Sequence, residues 1–248
     1  VLGHVDFVTT ECCTLKCKAC SQSMPLYQNP KNIDIGLSLS CFERFLDSVD
    51  RISEIRVLGG EPFVNSEIYK VLEHLDGNTK IGQIVIYTNG TIIPNRRTLK
   101  DLSKGMAKVH ISDYGFNKDA VRKFVTIMQE NDIEYFERSY DYWIDLGDFK
   151  KRDYTSEQLQ GIYDKCGQRY CNHFFENKFY VCPRVASASR LGFVDVPGDC
   201  VDFSTEATIR QDYRKQIEEL LKRKKPFAAC AYCNGTFDAE HIGVAEQG

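Results

Sequence analysis

An α/β fold is predicted for this chain: a partial (β/α)6 TIM-type barrel followed by a small α+β domain. Three observations predict it. Short apolar runs alternate with amphipathic helical stretches from residue 4 to residue 136, and such alternation argues for parallel strands joined by crossover helices. Polar and glycine-bearing motifs follow the strands, as in barrels whose sites sit at the carboxyl ends of strands. The alternation stops near Lys150, too early for eight units, and the remainder is rich in cysteine and loop residues. Domains spanning 1–155 and 156–248 are expected.

The elements follow in order. His4 to Thr10 is β-branched and aromatic and reads as the first strand. Ser40 with Glu43 three residues on resembles a capping box, opening a helix whose buried stripe is Phe42, Phe45, Leu46 and Val49. Ile55 to Leu58 is a second strand ending in Gly59-Gly60-Glu61-Pro62. A helix from about Asn65 to Leu75 carries Ile68, Val71, Leu72 and Leu75 on one face. Ile84 to Tyr87 is a third strand ending in Thr88-Asn89-Gly90, and a helical stretch spans Arg97 to Ser103. Val109 to Ser112 is a fourth strand, followed by a helix with Val121, Phe124, Val125 and Met128 on one side; Ile133 to Phe136 is a fifth. Beyond Lys150, Phe174 to Tyr180 reads as a hairpin turning at Glu176-Asn177. A charged helix is expected from about Glu206 to Lys225, its basic end (Lys222 to Lys225) solvated and favoured by the helix dipole.

Composition narrows the function. With 248 residues, 42% hydrophobic and 27% charged, the chain is long enough to bury a core without disulfides. No run of about 18 apolar residues is present, so no membrane span is expected. Val1 to Thr10 lacks the basic region of a signal peptide, and the start without Met indicates a trimmed chain. A net charge of -3 gives no reason to expect nucleic acid. Eleven cysteines, several in tight groups, indicate metal or cluster ligation in a reducing, oxygen-poor cytoplasm. Cys12, Cys41 and Cys200 stand outside those groups and are expected to be buried small hydrophobes; His110 is expected in the core.

The first group is Cys13-Thr-Leu-Lys-Cys17-Lys-Ala-Cys20, directly after the first strand. Three thiolates on a short loop hold a cluster or metal while leaving one coordination position open, where a cosubstrate can bind. Spacing alone also admits a structural zinc loop. Gly59 to Pro62, at the end of the next strand, is a turn whose glycines permit close backbone approach to a ligand and whose Glu carbonyl or side chain can hold an ammonium.

Together these two motifs resemble the radical S-adenosylmethionine (SAM) superfamily over roughly Val5 to Phe136. The resemblance implies that Cys13, Cys17 and Cys20 ligate three irons of a 4Fe–4S cluster while SAM chelates the fourth. It further implies that Gly59, Gly60, Glu61 and Pro62 meet the methionyl amino group, and that Thr88, Asn89 and Ser112 contact the ribose or carboxylate. The implied chemistry is reductive cleavage of SAM to a 5′-deoxyadenosyl radical that abstracts hydrogen from substrate, fed by an electron donor such as flavodoxin or ferredoxin. The sequence departs from the family before the third cysteine: Ala19 replaces the usual aromatic residue near the adenine, leaving Phe7 or Tyr87 as stand-ins.

Cys166, Cys182, Cys230 and Cys233, with the hairpin and helix between them, resemble the shortened twitch form of the SPASM extension. This implies one auxiliary 4Fe–4S cluster, with Cys171 a rival to Cys166; a zinc site on the same thiolates is the alternative. Tyr135 to Asp145, aromatic and acidic and holding the one Trp, is a candidate substrate reader for sugars or polyols. Asp113, Tyr114 and Asp145 are candidate catalytic residues, and Arg152 and Arg184 are further polar residues available to the cavity. The expected function is oxidation of a small sugar- or polyol-like substrate, the auxiliary cluster accepting an electron, by a dehydrogenase- or epimerase-type enzyme. The alternatives are radical modification of a ribosomal peptide (thioether formation or epimerisation) and, in another class, a zinc-stabilised binding module without catalysis.

Overall fold

The computed structural model describes residues 1–204 and 212–248. In chain order the regular elements are β1 (Leu2–Val8), α1 (Ile35–Asp47), β2 (Ile52–Leu58), α2 (Ile68–Leu75), β3 (Ile81–Thr88), α3 (Arg96–Ser103), β4 (Lys108–Asp113), α4 (Lys118–Glu130) and β5 (Tyr135–Ser139). They are followed by β6 (Trp143–Ile144), α5 (Ser156–Lys165), β7 (Asn172–Phe175), β8 (Lys178–Tyr180), α6 (Pro183–Arg190), β9 (Val201–Asp202), α7 (Tyr213–Leu221) and β10 (His241–Ile242). One sheet runs β5-β4-β3-β2-β1-β7-β8-β9, parallel from β5 to β7 and antiparallel beyond, as a partial barrel requires on its parallel side. A two-stranded ribbon pairs β6 with β10.

The sixth parallel strand is unexpected in its origin. It comes from the hairpin at 172–180, which joins β1 with His173 opposite Asp6. The sheet therefore crosses the 155/156 position, where the side chains of Thr155 and Gln158 form the capping box of α5. The reason is aromatic packing. Phe42 of α1 meets Phe7 of β1 at 5.0 Å and Phe174 of β7 at 4.9 Å between ring centroids, and Phe45 stacks on Phe179 of β8 at 4.9 Å. One helix thus covers early and late strands in one core, and buried aromatic pairs of this geometry add to their area burial.

Several boundaries differ from expectation. The first helix begins at Ile35, capped by Asp34, which accepts from Leu37 N at 3.0 Å. Ser40 lies inside it and donates to Leu37 O (2.8 Å), while Glu43 is engaged by His74 (2.6 Å). Ser–Glu spacing cannot distinguish a cap from such mid-helix bonding. The second helix starts at Ile68 after the short 3-10 turn Pro62–Val64, and the fifth strand is shifted to Tyr135–Ser139. The hairpin turns at Glu176 and Asn177, both at positive φ, with Glu176 held by Lys31 (3.0 Å) and Arg190 (3.1 Å). The expected start of the charged helix near Glu206 lies outside the described residues; Tyr213–Leu221 is helical. Among the described residues no helix is long and apolar enough to cross a membrane.

Candidate active site

The cysteine loop leaves β1 and is zipped to the end of β2. Thr9 N donates to Leu58 O (2.8 Å), Gly60 N to Thr10 O (2.9 Å) and Glu61 N to Cys12 O (2.8 Å). This zipper explains the two glycines. A Cβ on Gly59 would stand 2.4 Å from Thr10 O, and one on Gly60 2.1 Å from Cys12 O. The missing side chains make room for the cysteine loop itself. On the loop's other side, Lys18 N donates to Glu246 O (2.8 Å), and Gln247 Nε2 donates to Cys17 Sγ (3.3 Å).

The three thiols are close enough to raise one another. Burial pushes Cys13 up to about 12, with Glu61, Cys20 and Cys17 acting in the same direction, and burial also raises Cys17 and Cys20. Such thiols stay protonated until a bound cation deprotonates them.

Glu61 is wholly buried, with both carboxylate oxygens engaged. Oε1 accepts from Thr88 Oγ1 (2.7 Å) and Phe63 N (3.2 Å), and Oε2 accepts from Asn89 N (2.9 Å). Burial pushes this carboxyl up to about 7 against the pull of those hydrogen bonds. Asn117 extends the brace, donating to Asn89 O (2.8 Å) and Ser112 O (3.0 Å) and accepting from Tyr114 N (2.8 Å). The structure thus joins Glu61, Thr88, Asn89 and Ser112, from the ends of three strands, in one network. The Glu61 side chain holds the turns together.

Cys166, Cys182, Cys230 and Cys233 line one cavity with Arg184 and Phe227. Cys171 is not in that lining; burial pushes its thiol up to about 11, with Asp6 and, more weakly, Cys166 raising it and Arg56 opposing. Among the described residues no three Cys, His, Asp or Glu side chains approach as the ligands of a single ion do. The four thiols ring the cavity without meeting at a point.

The stretch from Tyr135 to Asp145 borders a cleft of about 440 Å³ beside the cysteine loop. Arg138, Tyr140, Tyr142 and Trp143 form one wall, Ala19 and Ser21 of the cysteine loop another, and Gln168 and Thr236 close the side nearest the four-cysteine cavity. Thr236 Oγ1 lies 3.9 Å from Cys166 Sγ. Tyr114 packs edge-on to Trp143 (5.5 Å between centroids), and burial raises its hydroxyl. Asp113 and Asp145 instead each accept a turn N–H at 2.8 Å, from Gly115 and Gly147. Arg152 binds Asp148 (2.9 Å) and Asn234 (3.2 Å). Of the adenine stand-ins, Phe7 is excluded by its burial against Phe42 and Phe174 on the helix-covered face; Tyr87 lies on the opposite, inner face over His110. Cys41 is buried as expected, whereas Cys12 and Cys200 are only partly covered.

Sequence reasoning missed a polar layer on that inner face. His173 Nδ1 meets Asp6 Oδ2 at 3.1 Å and its Nε2 meets Gln22 Oε1 at 2.9 Å, tying β7 to the cysteine loop. Arg56 pairs with Glu54, and Tyr140 OH lies 3.4 Å from both His110 Nε2 and Ser112 Oγ. His110 is buried as expected, yet it belongs to this layer, where burial, Arg138 and Arg56 push it down to about 4. The signal was available: parallel strands covered on both faces read as continuous apolar runs. Asp6, Glu54, Arg56 and His110 interrupt those runs at alternate positions.

A three-thiol loop at the carboxyl edge of a parallel sheet, braced by a Gly-Gly-Glu-Pro turn, defines a class of cluster-bearing α/β enzymes. The model of the radical SAM superfamily matches residues 7–147, more than half of the chain, and the chain belongs to that superfamily. Membership implies a 4Fe–4S cluster with SAM, a substrate and a source of electrons. Two similar proteins are named GTP 3',8-cyclase: one from Desulforamulus reducens, 30% identical over 135 residues, and one from Clostridium acetobutylicum, 32% identical over 134. These matches take in 53% and 52% of this chain, and the chain spans only 40% of each relative's length. A solved structure described as BtrN in complex with AdoMet and 2-DOIA shares the fold with a TM-score of 0.56 at 13% identity, covering 100% of this chain and 97% of that one.

Proposed function

We propose that this protein is a radical SAM enzyme oxidising a small, hydroxyl-bearing, sugar- or polyol-like substrate, with an auxiliary 4Fe–4S cluster on Cys166, Cys182, Cys230 and Cys233 as electron acceptor. The observation that carries the proposal is the cleft between the two cysteine sets. Its lining touches the cysteine loop through Ala19 and Ser21 and the four-cysteine cavity through Gln168 and Thr236. Cys13, Cys17 and Cys20 would hold the SAM-binding cluster, which, when bound, supplies the electron that cleaves SAM to the hydrogen-abstracting radical. The chain's own residues do the rest. Ala19 leaves room at the loop, Trp143 and Tyr142 offer faces for stacking on a sugar-like ring, and Arg138 and Tyr140 offer donors to hydroxyls. Oxidation of a carbinol to a carbonyl removes one hydrogen atom, one proton and one further electron, and a cluster held at the adjoining cysteine cavity would accept that electron. Four thiolates on a four-iron cluster would leave no corner open, so substrate would be oxidised beside the cluster without ligating it.

The names of the relatives favour a second reading, cyclisation of GTP. Against it, Arg138 is the one cationic side chain among the described residues lining the cleft, where a triphosphate would require several. Anaerobically reconstituted protein with reductant and SAM tests both readings. Deuterium should pass into 5′-deoxyadenosine from a ring-deuterated aminocyclitol or sugar. Transfer from deuterated GTP alone would establish the cyclase reading and overturn this one.

A further inference from the structure

Among the described residues, Arg184 is a buried cation with no carboxylate in ion-pair contact, wedged between the two cysteine sets. It follows Cys182 by two residues in the first turn of α6 and is 4% exposed. Its Nη2 donates to the carbonyls of Gly147 (2.9 Å) and Leu146 (3.2 Å), and its Nη1 lies 3.4 Å from Ser23 Oγ, just beyond Cys20. The guanidinium carbon lies 3.5 Å from the ring centroid of Phe149. Its Nε is buried with no hydrogen-bond partner among the described residues. Even the less buried Arg190 and Arg223 are paired, with Glu11 at 2.7 Å and with Asp199 at 2.6 Å. None of the ion pairs among the described residues includes Arg184, although it lines the cavity of Cys166, Cys182, Cys230 and Cys233.

A buried charge lacking a counter-charge is strongly unfavourable, and carbonyl dipoles with an aromatic face offset only part of that cost. Asp145 acts on the guanidinium only from beyond ion-pair contact, and the four thiols of the cavity that it borders are the acidic groups nearest to it. Rings of thiolates around iron carry net negative charge, and hydrogen bonds to their sulfurs shift their reduction potential.

We infer that Arg184 is the counter-charge of the auxiliary cysteine site, a positioning residue whose free Nε–H faces that site's sulfur and raises its reduction potential. The inference rests on the four-cysteine reading of the preceding section. The same cation reaches the Ser23 end of the first cysteine loop, so it stands between the two cysteine sets.

The test compares Arg184→Gln, which keeps donors for the carbonyls but loses the charge, with Arg184→Lys, which keeps the charge. Redox titration followed by electron paramagnetic resonance reads each cluster, and added SAM marks the one it binds. In Arg184→Gln the reduced-to-oxidised ratio of the auxiliary cluster at fixed potential should fall roughly tenfold, about 59 mV for one electron. Arg184→Lys should recover most of it. The drop in thermal midpoint caused by Arg184→Gln should be larger in the cluster-loaded protein than in the iron-free protein. An equal drop in both forms with an unchanged potential would make Arg184 a clamp for carbonyls and overturn the inference. A wild-type chain that takes up a single cluster would instead remove the four-cysteine reading itself, and the inference with it.

Discussion

Replacing Gly60 by Ala tests how the first cysteine loop is held. The new Cβ would stand 2.1 Å from Cys12 O, 2.5 Å from Cys12 C and 2.9 Å from Cys13 Cβ. Contacts under 3.0 Å do not persist, so the loop must retreat by about 0.9 Å, and the opposing atoms are mainly backbone with no rotamer to turn. Retreat strains two bonds, Gly60 N to Thr10 O and Glu61 N to Cys12 O. Each is worth about 1 kcal/mol, and overpacking adds about 1–3 kcal/mol. A total of about 3–5 kcal/mol is a large share of ordinary stability and corresponds to a fall in Tm on the order of 10 °C for a chain of this size. Metal sites tolerate ligand displacements of only about 0.2 Å, so Cys13 should lose its iron. Anaerobic reconstitution should yield protein lacking the SAM-sensitive cluster signal while the second cysteine set keeps its iron. Gly3→Ala is the control, because a Cβ there meets nothing within 4 Å. A Gly60→Ala protein with full iron content and a Tm within 2 °C of wild type would refute the packing argument.

The remaining predictions concern single groups. Glu61 has its folded pKa raised from 4.5 to about 7, so its contribution to stability is intact below pH 4.5 and declines as pH rises towards 7. The decline amounts to roughly 3 kcal/mol, and urea unfolding of iron-free protein should show it in wild type and not in Glu61→Gln; parallel pH profiles would contradict it. Gln247→Glu keeps an acceptor for Lys16 N but loses the donor to Cys17 Sγ, so the potential of the SAM-binding cluster should fall; an unchanged titration curve would leave Gln247 a purely structural residue. Cys166→Ala should remove about four of eight irons and Cys171→Ala none, as counted by iron and sulfide analysis; the reverse pattern would exchange their roles. Trp143→Ala should raise KM for the substrate by about tenfold with little change in uncoupled SAM cleavage, and an equal loss of both would place Trp143 outside the substrate wall.

Local pattern was enough for the first half of the molecule. The strand–helix alternation, the three-cysteine spacing and the Gly-Gly-Glu-Pro turn are short-range features, each readable within a few residues because periodicity and loop chemistry act at that range. The polar alternation of Asp6, Glu54, Arg56 and His110 was equally readable, since a charge inside a doubly covered strand must face something polar. Helix starts were less legible: Ser40 and Asp34 are both acceptable caps in isolation, and only packing selects Asp34.

The sequence by itself determined that this chain builds a parallel α/β sheet with a cluster-type cysteine loop at a strand's carboxyl end. Tertiary structure decided what meets what. Residue 173 pairs with residue 6 because Phe42 and Phe45 draw early and late strands under one helix. That packing gathers Cys166, Cys182, Cys230 and Cys233 around a single cavity, leaves Cys171 outside its lining, and buries Arg184 beside four thiols. Contacts between residues far apart in sequence depend on which apolar faces find each other, and spacing along the chain does not carry that information.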